Sequence, residues 1–141
     1  VASVDYVIKG MASLTDTDSL LRTISEAMLG ETKFRIHNEG LRATGNGIGQ
    51  YNDRYLKLRV NKYNRTSDRD IVFSLTGTME NNYKVIEISD TEYGLGFDNP
   101  DDADKSVWLA ERFGNDIWAL SEKELNDVNT IVQEFVNNAF K

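Results

Sequence analysis

Residues 71–97 read IVFSLTGTMENNYKVIEISDTEYGLGF, the densest run of β-forming residues in the chain, and the segments on either side carry helical periodicity. A sheet buries its apolar face against other elements, so the flanking helices are expected to pack back over this block. Within it, Ile71, Phe73 and Leu75 fall on one face of an extended segment, with Val72 on the other. Thr76-Gly77-Thr78 ends that segment and opens a helical turn through 79–82. Residues 83–89 alternate as a strand, with Val85 and either Ile86 or Ile88 inward. After a turn at Asp90-Thr91-Glu92, Tyr93, Leu95 and Phe97 form the returning strand, and Gly94 and Gly96 allow close backbone approach or twist.

Helix signals bracket this meander. TDTDS at 15–19 supplies N-cap side chains and early acids, and Leu20, Leu21, Ile24, Met28 and Ile36 recur on one face. The spacing predicts a long helix to about residue 38, kinked at Gly30 and stopped by Gly40. DNPDDADK at 98–105 reads as caps for a short helix over 106–113, with Trp108, Leu109 and Phe113 as its buried stripe and Gly114 as its stop. An extended connection over 116–120 follows. Ser121-x-x-Glu124 is a capping box, and Leu125, Val128, Val132, Phe135 and Ala139 give the last helix an apolar face, broadened by Ile131, Val136 and Phe140. Val4, Tyr6 and Ile8 make residues 1–14 an extended arm. The expectation is α+β: an antiparallel sheet of about four strands, covered by a long N-terminal helix, a short helix and a C-terminal helix. Residues 15–141 form a single domain with a long loop at about 40–70.

Composition narrows the chemistry. The 141 residues include no cysteine, which removes disulfides and thiolate metal sites. No apolar run approaches the roughly 18 residues of a membrane span, and VASVDYVIKG is expected to belong to the mature protein rather than to a secretory signal. His37 is the single histidine; a zinc or acid–base site would need partners that the chain does not group near it, so a structural role is expected. Four aspartates in DNPDDADK lack the alternating ligands, central glycine and closing glutamate of a calcium loop. No cofactor or metal site, and no catalytic constellation, is expected; the scattered acids are explained by caps, turns and solvated faces.

Gly45, Gly47 and Gly49 have GxGxG spacing after a helix, without the strand before and helix after that a dinucleotide fingerprint requires, and are read as turn residues. A basic, aromatic run follows: Arg54, Lys57, Arg59, Lys62, Arg65 and Arg69 with Tyr51, Tyr55 and Tyr63. Such interleaving suits single-stranded nucleic acid. The net charge of −7 and the flanking Asp53, Asp68 and Asp70 suit a solvated strand–turn segment or an interface with an acidic neighbour equally well. Nucleic-acid binding through 51–69 is the alternative function.

Several local patterns, taken in order, resemble the small neck and tail-completion proteins of long-tailed bacteriophages. They are Ile48-Gly49-Gln50-Tyr51 with Tyr55, Leu75-Thr76-Gly77-Thr78-Met79, Gly96-Phe97, Lys105, Trp108, Phe113-Gly114, and Leu120-Ser121 with Glu124. The resemblance runs from about residue 17 to the C-terminus. It implies a non-enzymatic virion protein, assembled in the host cytoplasm as a homo-oligomeric ring at the neck or tail end. Its partners would be neck, connector or tail-tube proteins, with DNA met only in the ring lumen and no membrane involved. Tyr51, Arg54, Tyr55 and Arg59 are then the expected subunit or partner contacts, since aromatics and arginine are enriched at interfaces.

Overall fold

The computed structural model describes residues 2–4, 17–74 and 76–139. Helix α1 spans Thr17–Lys33 and runs on into a π-helical turn, Phe34–Glu39. Leu20, Leu21, Ile24 and Met28 form its buried face, as their spacing predicts. Gly30 lies inside α1, so the change of helical geometry falls at Phe34 and not at the expected glycine kink. A wider turn places more residues per revolution on one side, and Arg35, Ile36 and His37 are buried in succession. Gly40 ends the element at φ 66°. A Cβ there would stand 2.1 Å from the Ile71 carbonyl oxygen, so both the backbone angle and the close approach require glycine.

The sheet is smaller than expected. Strands β1 (Ala2–Val4), β2 (Lys84–Ser89) and β3 (Glu92–Gly96) pair antiparallel in the order β1-β3-β2, three strands among the described residues instead of about four. The predicted hairpin is present, with Val85 opposite Leu95 and a bulge between Glu87 and Ser89. Val85 and Ile86 are half-buried while Ile88 is 52% exposed. Central β3 is the buried strand, and Tyr93, Leu95 and Phe97 join the core under α1. Of the expected arm, Ala2–Val4 lies against β3 of its own sheet; residues 5–14 fall outside the described residues.

The missing strand is Ile71–Phe73, whose Leu75 end lies outside the described residues. Its backbone groups are satisfied by other means than a ladder. Ile71 N–H donates to Gly49 C=O (2.9 Å). The Tyr51 hydroxyl donates to the Val72 carbonyl (2.5 Å) and accepts from the Val72 N–H (3.1 Å), doing for that residue what a neighbouring strand would do. His37 Nδ1 donates to the Phe73 carbonyl (2.6 Å). Downstream, Gly77 at φ 86° starts helix α3 (Thr78–Asn82), the helical turn expected there.

Residues 40–70 are not one long loop. Helix α2 (Asp53–Tyr63) occupies the basic, aromatic run that was read as strand and turn. Asn52 caps it, its side chain accepting from Tyr55 N–H, and Asn64 closes it in the left-handed region. Tyr55, Leu56, Arg59, Val60 and Tyr63 fall on its inner side at helical spacing.

Helix α4 (Pro100–Phe113) starts six residues before the expected boundary because Asn99 caps it, accepting from Asp101 N–H, and Pro100 takes a position that needs no donor. Asp102, Ser106, Leu109 and Phe113 point inward, and Trp108, expected in the buried stripe, is 64% exposed. Trp118 fills the interior instead, against Phe73, Tyr83 and Phe97. The connection carrying it is a 3-10 turn, Asn115–Ile117, rather than an extended segment.

Helix α5 (Glu122–Ala139) begins with the predicted capping box. Ser121 N–H donates to Glu124 Oε1 and Glu124 N–H to Ser121 Oγ, each at 3.1 Å. Val128, Ile131, Val132 and Phe135 face the core. Leu125 does not; it is 48% exposed, and Glu124 takes the inward place. The side chains expected at 139 and 140 lie outside the described residues.

Candidate binding cleft

Arg42 fastens the glycine-rich segment to the end of α4. It donates to the carbonyls of Ile48 (3.0 Å) and Phe113 and pairs with Asp116 (2.9 Å). Leu41 and Gly47 bridge across the loop. These glycines serve a tight turn, and that turn delivers Gln50 and Tyr51 to the foot of α2.

A cleft of about 570 Å³ opens between α2, the 71–79 segment and α4. Tyr51, Tyr55 and Arg59 form one wall. Phe73, Met79, Leu109 and Phe113 supply an apolar lining, and Lys105 and Arg112 enter from α4. The volume falls in the range of small-molecule sites. Among the described residues three cations and no carboxylate line it, in a protein of net charge −7.

The four residues expected at contacts separate here. Tyr51 and Tyr55 stand beside each other with ring centroids 5.3 Å apart, both half-buried. Burial pushes the Tyr51 hydroxyl above its ordinary pKa, and its bonds to Val72 leave it engaged with backbone. Arg59 is 5% exposed, its guanidinium 4.4 Å from the Tyr51 ring centroid, so it presents no flat surface to a neighbour. Arg54 is exposed on the opposite side of α2 with Lys57, Leu58 and Lys62. The structure thus brings Tyr51, Tyr55 and Arg59 together and leaves Arg54 apart. It adds Lys105, Arg112, Phe73 and Ser74, which sequence order separates from them. The two asparagine caps, at 52 and 64, are the signal that would have turned the run into a helix and divided its faces.

His37 lies behind Phe73 and does not line the cleft. Because a carbonyl can only accept, its Nδ1 carries the proton, and its buried Nε2 has no partner. Burial lowers its pKa, with Lys33 adding to the effect and the Phe73 carbonyl and Glu80 opposing it. That environment suits a neutral, structural imidazole. Among the described residues no group of histidine, aspartate and glutamate has the arrangement of a metal site, and no helix is long and apolar enough to cross a membrane.

No protein-family model, curated protein or solved structure matches the chain.

Proposed function

We propose that the protein is a structural component of a tailed-phage virion, built into a homo-oligomeric ring at the neck or tail end and acting without catalysis. The order of elements supports this reading: long helix, glycine-rich turn, Thr-Gly turn, hairpin, Phe-Gly helix and final helix keep the order of the resemblance, with helix α2 added between the glycine-rich turn and the Thr-Gly turn. The observation that carries it is the segregation of charge. Residues 51–69 hold six basic and two acidic side chains, while 87–104 hold seven acidic and no basic ones.

Arg54, Lys57 and Lys62 are exposed on the outer side of α2. Asp90, Asp101 and Asp104 are exposed on the hairpin turn and α4, without ion pairs among the described residues. Opposite patches on one chain favour head-to-tail contacts, the kind that close into rings. The outer face of α2, with Arg54, is the contact surface on this reading, next to a second copy or to a neck, connector or tail-tube protein.

Sedimentation at rising protein concentration, in low and high salt, tests it. Species larger than a monomer at low salt, dissociating as salt screens the patches, are expected, with rings in negative-stain images. Arg54→Glu combined with Lys57→Glu should abolish them. A monomer at every concentration and salt would count against the reading.

The same exposed cations favour a second reading, an accessory protein that binds single-stranded nucleic acid through 51–69. It is the weaker one, because Arg59 is buried, Arg69 pairs with Asp53 (2.6 Å), and Tyr51 is tied to Val72. DNA binding that weakens steeply with salt, in a protein that stays monomeric, would favour it.

A further inference from the structure

Arg59 poses a physical problem. A buried guanidinium is costly unless an anion or a full set of acceptors offsets its lost hydration. At 5% exposure Arg59 has no ion pair among the described residues, and its buried Nε has no hydrogen-bond partner. The face of Tyr51, 4.4 Å from the guanidinium, is a partial substitute that supplies no hydrogen-bond acceptor in line with its N–H groups. Two carboxylates that touch cleft-lining residues are engaged with other groups. Glu80 accepts from the Ser74 hydroxyl (2.6 Å), and Asp102 accepts from Asn82 Nδ2 (2.7 Å) with Lys105 3.7 Å away.

The cleft into which this group opens is already electropositive. Lys105 and Arg112 line it from α4, and no acid among the described residues does. Phe73, Met79, Leu109 and Phe113, with Tyr51 and Tyr55, give it an apolar and aromatic part besides the polar Gln50, Asn52, Ser74, Thr76 and Thr78. An occupant that satisfies both features carries an oxyanion at one end and a flat or apolar body at the other.

We infer that the cleft between α2 and α4 binds a small organic anion, whose carboxylate or phosphate seats on Arg59 and whose apolar body lies against Phe73, Leu109 and Phe113. Lys105 and Arg112 contribute long-range attraction at the rim, and Arg59 supplies the directional hydrogen bonds. The inference is independent of whether copies of the chain assemble.

Ligand-observed NMR and calorimetry with benzoate, phenyl phosphate and the neutral benzyl alcohol test it on the whole chain in low-chloride buffer. Benzoate or phenyl phosphate should bind saturably and at least about tenfold more tightly than benzyl alcohol, the scale of a charge-assisted hydrogen bond. Arg59→Met should weaken that binding by about tenfold or more. Arg22→Gln, an exposed cation on α1, should leave it unchanged. Should Arg59→Met fail to fold, the double variant Lys105→Gln with Arg112→Gln, altered on a different helix, is expected to weaken binding severalfold. Absence of saturable binding by both anions, equal affinity for benzyl alcohol, or undiminished binding in the variants would overturn the inference.

Discussion

Two arginines are buried in this small domain, and they are treated in opposite ways. Arg35, on the π-helical turn, is 6% exposed and has a partner at every guanidinium nitrogen. Its Nε pairs with Glu124 at 2.9 Å, and its two terminal nitrogens donate to the carbonyls of Leu41 (2.9 Å), Ile117 (3.2 Å) and Ala119 (2.7 Å). Glu124 in turn accepts from Ser121 N–H and from Thr32 Oγ1. One guanidinium therefore locks α1, the loop after it, the 3-10 turn and α5 into one arrangement. Arg59, just as buried, has an aromatic ring and open space. A buried ion pair with a partner at each nitrogen acts as a structural hub. A buried cation without a counter-ion beside a cleft, with its charge unspent on the fold, is where a ligand gains most.

The largest expected effect of breaking this contrast lies at the hub. Glu124→Ala removes the capping-box acceptor and leaves Arg35 buried without its anion, so it should cost about 3–5 kcal/mol in denaturant unfolding. A loss under about 1 kcal/mol would show that the carbonyls alone satisfy Arg35.

An intermediate effect is expected where the cleft wall meets the fold. Tyr51→Phe keeps the ring beneath Arg59 but removes the hydroxyl that serves both backbone groups of Val72. A destabilisation of about 1–3 kcal/mol should appear, with amide exchange at Val72 among the protons that speed up most. Unchanged exchange there would mean that water replaces the hydroxyl and that the segment needs no surrogate strand.

The smallest change should come from Arg59 itself. Arg59→Met exchanges a poorly compensated cation, and its contact with Tyr51, for an apolar side chain of similar length. Stability should move by no more than about 1 kcal/mol in either direction, because the losses and gains nearly cancel. A cost as large as that of Glu124→Ala would reassign Arg59 to the structural class.

How much of this was legible beforehand depended on whether the signal was local. The capping box at Ser121 and Glu124, the stop at Gly40, the Thr-Gly turn before α3 and the hairpin all follow from short-range hydrogen bonding and backbone angles, and each stands where its residues predict. The face of α4 was misassigned although its periodicity was clear. Asp102, Ser106, Leu109 and Phe113 recur at i, i+4, i+7 and i+11 on one face, and Trp108 lies roughly 120° round the helix from it, so the inward face is the one that carries two polar residues. Residues 71–73 show the converse, β-type residues without a β ladder. They lie outside the three-stranded sheet, and a tyrosine twenty-one residues upstream serves the backbone of Val72 in place of a neighbouring strand. α2 was hidden because charged and aromatic residues alternate through it, while its evidence lay in two asparagines at its ends.

The candidate cleft was half visible. Tyr51, Tyr55 and Arg59 were singled out for their residue types, yet as a surface contact. Local sequence sets Arg54, beside Asp53, apart from Arg59 and Arg35, but nothing local distinguishes the last two, each flanked by apolar residues on both sides. The difference lies in what approaches from elsewhere in the chain: Glu124 and three carbonyls for one, Tyr51 and α4 for another, solvent for the third. By itself the sequence determined the class of fold, the central hairpin and the ends of the last helix, because those are written within a few residues of one another. Which arginine became a hub, which was left facing an electropositive cleft, and which tryptophan entered the core were decided by tertiary packing, because burial and partnership are properties of residues far apart in the chain.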